Sequence, residues 1–126
     1  MEKVGPNVAK LAKQKGFDLY VTYFYGLKTN GEIDDTICSG LDDENWNRSE
    51  SLVSIPYQPD LQEWLRKVHK IHLYCVPVTH FIDKDFDHYS FAILKGKELW
   101  EDDGSYSDYE KCLEAGLQYC LKYKID

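Results

Sequence analysis

The side chains best suited to chemistry near neutral pH are four histidines: His69, His72, His80 and His88. His80 and His88 flank a short polar stretch that carries Asp83, Asp85 and Asp87. If the flanking segments pair as a hairpin, the two imidazoles face each other with Cβ atoms about 5 Å apart. Parity along the strands puts His72, His80 and His88 on the same sheet face. This assembles a candidate metal site from His72, His80, His88 and Asp85, with a donor set suited to zinc or to iron in a facial triad. No HxH or HxxxH spacing supports it, and exposed histidines beside a polar loop are the plainer reading. Asp83, Asp85 and Asp87 also repeat the alternating oxygens that open an EF-hand loop. However, the sixth position is His88 instead of glycine and the twelfth is Leu94 instead of glutamate.

No nucleophile stands out. Ser39, Ser49 and Ser51 have no G-x-S-x-G frame, and the glycines are too scattered to cradle a phosphate. Cys75 lies near His72, but strand alternation turns the thiol inward and the imidazole outward, so the pair does not meet. Cys38, Cys75, Cys112 and Cys120 show no CxxC spacing and read as small buried hydrophobes in a reducing compartment. Cys112 and Cys120 are eight residues apart, about 12 Å along one helix, and cannot bridge. No catalytic residue and no cofactor are expected.

Tyrosine is the other conspicuous residue, with ten copies and an aromatic content of 14%. Its apolar ring and polar tip suit half-buried strands and contact surfaces. Tyr20, Phe24 and Tyr74 are expected on the sheet face turned away from the helices, where they would form a protein-binding patch. The competing expectation is that Trp46, Tyr57 or the acidic stretch at 40–50 folds over them.

These side chains depend on the elements that hold them. Pro6 opens a helix to Lys15 with Val8, Leu11 and Ala12 as its stripe, and Gly16 ends it. Residues 19–27 are β-branched and aromatic and read as a strand. Asn30-Gly31 marks a two-residue hairpin leading to a strand at 32–38, residues 40–50 read as a loop, and 51–56 as a short strand. Pro56 and Pro59 stop that strand, and Asp60 caps a helix over 61–70 with Leu61, Trp64, Leu65 and Val68 on one stripe. Residues 71–78 alternate as a strand with Ile71, Leu73 and Cys75 inward and His72, Tyr74 and Val76 outward. Tyr89, Phe91 and Ile93 line the next strand, and Leu99-Trp100 suggests a further short one. Ser107 and Glu110 form a capping box for the last helix, where Gly116 in the buried stripe implies close approach to the sheet. The order α-β-β-β-α-β-β-α predicts an α+β fold, with an antiparallel sheet of about five strands and three helices on one face.

Residues 61–71, residues 109–117 and the stretch 13–17 resemble small uncharacterised proteins of phages and mobile elements of Bacteroidetes-type gut bacteria. The Ile55-Pro56-Tyr57-Gln58-Pro59 stretch departs from the Ala-Pro-Thr-Gln pattern of that group. The resemblance covers nearly the whole chain in helix stripes, a cap and a glycine contact. It implies a complete domain of mobile-element origin and carries no activity and no functional residue.

Composition limits the partners. The 126 residues make one ordinary domain, and 43% hydrophobic with 29% charged residues is a globular balance. The net charge of −7, without a basic patch, opposes direct nucleic-acid binding, although a line of carboxylates would make an acidic decoy for a nucleic-acid-binding protein. No apolar run fits a signal peptide or membrane span, so a cytoplasmic protein without membrane contact is expected. The expected partner is another protein or a second copy of the chain.

Overall fold

The computed structural model describes residues 1–79, 86–102 and 104–125. Among these residues there are three α-helices and six strands, all paired antiparallel, so the chain is α+β. The strands are divided between two sheets of three, and the chain folds as two compact units, Met1–Asp60 and Leu61–Asp126. Among the described residues no helix is long and apolar enough to cross a membrane.

The first unit contains α1 (Pro6–Gln14), β1 (Val21–Leu27), β2 (Ile33–Glu44), a 3₁₀ turn at Trp46–Arg48 and β3 (Leu52–Ile55), in the sheet order β2-β1-β3. Pro6 sits in the first turn of α1, where its missing N–H costs nothing. Its buried residues are Val8, Ala9 and Ala12, while Leu11 stays half-buried. They join Val4, Phe17, Tyr25, Val53 and Ile55 in the core. The β1–β2 hairpin is one residue longer than Asn30-Gly31 predicts. Gly31 N–H bonds Lys28 O (2.9 Å), Lys28 N–H bonds Glu32 O (2.8 Å), and only Gly31 takes a positive φ, of 86°. A tight turn closed by a left-handed glycine is the three-residue form of the hairpin.

β2 corrects the expectation of a loop over 40–50, because the strand runs on to Glu44. The ladder is not regular. Tyr23 pairs with Ser39 and Val21 with Glu44, so residues 40–43 bulge away from β1. Polar composition hid this strand because β2 is an edge whose side chains are almost all exposed.

The second unit contains β4 (Ile71–Thr79), β5 (Phe86–Lys95), β6 (Glu98–Glu101) and α3 (Tyr109–Tyr119), followed by a π-helical turn at Cys120–Lys124. α2 spans Gln58–His69 and starts three residues before the predicted onset. Pro59 falls in its first turn and is tolerated there for the same reason as Pro6. Leu61, Trp64 and Leu65 are buried, but Val68, assigned to the same stripe, is 57% exposed. The cap of α3 is also displaced by one residue. The Asp108 carboxylate, instead of the Ser107 hydroxyl, accepts from Lys111 N–H at 2.7 Å.

α3 packs on β4 and β5 through Cys112, Leu113, Gly116 and Leu117. Gly116 explains the close approach. A Cβ placed there would stand 2.7 Å from Leu73 Cδ1 and 3.2 Å from Phe91 Cγ. Aromatic rings finish this layer, with Trp100 stacked on Tyr119 at 4.2 Å between centroids.

Candidate functional site

The β4-β5-β6 sheet has one covered face and one open face. Ile71, Leu73, Phe91 and Ile93 lie on the face under α3 and are buried. The register places the opposite set together: His72 beside Leu94 beside Leu99, then Tyr74 beside Ala92 beside Glu101, then Val76 beside Ser90, and Val78 beside His88. Directly opposed residues of antiparallel strands share a face. Tyr74, Val76 and Leu99 are 47%, 45% and 60% exposed there. The rings of His72 and Tyr74 lie nearly parallel, 6.4 Å apart. Among the described residues of this face the one carboxylate is Glu101, at the β6 edge.

The structure does not gather the three predicted contact residues on one face. Tyr74 belongs to β4, whereas Phe24 belongs to β1 of the other sheet. Tyr20 precedes β1, is 63% exposed and has the Arg48 guanidinium 5.8 Å from its ring. Phe24 is half-buried under Trp46, with centroids 4.5 Å apart. Trp46 is fastened across β1 by its indole N–H, which donates to Val21 O at 2.8 Å. Gly40 makes room for that indole, since a Cβ at this position would meet the ring at 2.5 Å. Of the two expectations for Phe24, covering by Trp46 is the one that occurs.

The metal reading needs a further correction. His72 pairs with Leu94 and His88 with Val78, so the two histidines share a face but stand three rungs apart. Six residues along a strand is about 20 Å, far beyond two ligands of a single ion. His80 and Asp85 lie outside the described residues. Among the described residues no group of three or more His, Cys, Asp or Glu is placed to hold a metal.

The acidic residues of β2 fall along one exposed strand, namely Asp34, Asp35, Asp42, Asp43 and Glu44. At Asp43 the carboxylate accepts from the Thr22 hydroxyl at 2.6 Å.

Three thiols and one imidazole stand in unusual surroundings. Cys75 on β4 is half-buried and its thiol faces Cys112 on α3. Burial, followed by the Cys112 thiol, pushes the Cys75 pKa well above the ordinary range. Burial likewise raises Cys112, and it pushes Cys120 up to about 12. Raised thiols are protonated and unreactive, the opposite of an activated nucleophile. Sequence spacing did not reveal this cluster, because Cys75 and Cys112 meet only through helix–sheet packing.

His69, the last residue of α2, packs edge-on against Trp64 at 4.7 Å, and its Nε2 is buried with no hydrogen-bond partner among the described residues. Burial, then the Lys95 charge, lowers its pKa below the ordinary 6.5. The unfolded chain therefore binds the proton first as pH falls. Stability should decline as pH drops from about 6.5 toward the depressed folded value, and level off below it. His69→Phe keeps the ring contact and removes the titration. Urea unfolding between pH 7 and 5 should show a shallower loss for the variant than for wild type, and equal slopes would refute the assignment.

Comparison of the chain with protein-family models, curated proteins and solved structures finds no match.

Proposed function

We propose that this protein is a non-enzymatic interaction module, of mobile-element origin, that docks a protein partner through the open face of β4-β5-β6. The observation that carries this reading is the exposure of Tyr74, Val76 and Leu99 on one face whose other side is packed. Keeping apolar area in water costs free energy, about 25 cal/mol per Å², which a docked partner recovers. Tyrosine is enriched at interface centres, and apolar neighbours around such an anchor serve to exclude water. The chain's net charge of −7 and the position of Glu101 at the rim favour a partner with an apolar patch and basic surroundings over a second copy.

Tagged chain should retain such a partner from host lysate. Tyr74→Glu and Leu99→Glu should each weaken its binding by at least about tenfold, as expected for a hot-spot residue. Tyr20→Ala, at a position outside this sheet, should leave it unchanged. If both charge variants fold normally and bind as wild type does, the face is not the docking site. Sedimentation of the purified chain should show a monomer; a dimer dispersed by Tyr74→Glu would make the second copy the occupant instead.

A further inference from the structure

In the first unit the rings of Tyr23 and Tyr57 meet nearly at right angles, 84° between planes and 6.2 Å between centroids. The ammonium of Lys3 lies over both, 4.3 Å from the Tyr23 centroid and 5.5 Å from that of Tyr57. Two aromatic faces around one ammonium are the recurring arrangement for recognising alkylammonium ligands, because each ring presents its negative face to the cation. Acidic side chains stand close by. Asp43 is held by Thr22, the neighbour of Tyr23, and Asp60 N–H bonds Tyr57 O at 3.1 Å. Burial first, then the bond to the Tyr23 hydroxyl, raises the pKa of the Tyr57 hydroxyl; the Asp60 and Asp43 charges add to this and supply negative potential near the rings. Residues 32–44 add six carboxylates and no basic side chain.

The way Lys3 is held matters as much as where it points. Its backbone pairs with Tyr57, while Val4 N–H bonds Pro56 O (3.0 Å) and Gln58 N–H bonds Glu2 O (2.8 Å). Val4 is buried in the core. The segment is therefore pinned by its backbone, and the Lys3 side chain can leave the rings by rotamer change alone. We propose that Tyr23 and Tyr57 form a binding cage for an alkylammonium group, filled in the free chain by Lys3 and opened when an incoming ammonium displaces it. The incoming group is a lysine side chain of a polypeptide or a small quaternary ammonium, since both present the same cationic head.

The test uses the whole chain with Lys3→Gln, which empties the cage and keeps the backbone pairing. Tetramethylammonium chloride and a short acetylated Gly-Lys-Gly amide are titrated separately against sodium chloride at matched ionic strength. Binding is read from the ring-proton NMR shifts of Tyr23 and Tyr57. Lys3→Gln should bind at least one probe roughly tenfold more tightly than wild type, the advantage of removing a tethered competitor. The tighter probe identifies the source of the ammonium. Adding Tyr57→Leu should abolish the gain, whereas adding Tyr57→Phe, which keeps the aromatic face, should preserve it. Equal affinity of Lys3→Gln and wild type, or binding that survives Tyr57→Leu, would overturn the proposal. So would loss of the gain in a Tyr57→Phe variant whose amide spectrum is native.

Discussion

Native protein treated with a thiol-specific disulfide reagent at pH 8 is expected to lose one thiol quickly, that of Cys38, and to yield the other three only on unfolding. Cys38 lies on the exposed edge strand β2, whereas Cys112 and Cys120 are buried and Cys75 turns its sulfur toward Cys112. The attacking species is the thiolate. For Cys120, moving from the ordinary 9.0 to about 12 lowers the thiolate population at pH 8 by about a thousandfold. Burial adds a barrier to reagent access on top of this. The three slow thiols should therefore react at a rate set by opening of the fold, and adding urea below the unfolding midpoint should accelerate them together. Peptide mapping after a short pulse identifies the labelled residue. Two or more fast thiols in native protein, or a fast Cys75, would mean that the helix–sheet contact between α3 and β4 is looser than the structure describes. The same experiment bears on function, because a rapid Cys75 would reopen the nucleophile reading that its raised pKa opposes.

Gly116→Leu is expected to destabilise the chain by about 3 kcal/mol or more. The site has no spare volume. Even the first added carbon would stand 2.7 Å from Leu73 Cδ1 and 3.2 Å from Phe91 Cγ. Leu73 and Phe91 are themselves buried, so neither can retreat into solvent. Overpacking a filled core costs about 1–3 kcal/mol for modest additions, and a full leucine exceeds that range of volume. Gly116→Ala separates the two opposing terms. Alanine improves helix propensity by about 1 kcal/mol, while its Cβ forces Leu73 to shift. A net loss of about 1 kcal/mol is expected, read from the urea midpoint at unchanged slope. A stabilised Gly116→Ala would show that the helix stands further from the sheet than the contact distances require.

The elements were legible where a short-range pattern dictated them. Alternation along 71–78 placed Leu73 inward and Tyr74 outward because the strand period is two whatever the partner strand. Gly116 in the buried stripe of α3 announced a close contact for the same local reason. Misreadings occurred where a local signal had two solutions. Ser107 read as the cap, but the carboxylate of the adjacent Asp108 took it. Pro59 read as a strand stop, yet a proline also fits the first turn of a helix. Residues 40–44 carried too many carboxylates to read as strand, although an exposed edge tolerates them.

The candidate sites were legible only in part. Tyr74 was recognised as outward-facing, but its neighbours Leu94, Ala92 and Leu99 come from pairing with β5 and β6. The sequence by itself determined the α+β class, the helix stripes apart from Val68 and Leu11, the acidic balance, and which side of β4 and β5 is apolar. Those properties follow from composition and from periods of two and 3.6 residues. Tertiary structure alone decided that the strands divide into two sheets, that Trp46 covers Phe24, that Cys75 meets Cys112, and that Lys3 lies between Tyr23 and Tyr57. Each of these joins residues far apart in the chain, where no period reaches and the free energy of packing selects the partner.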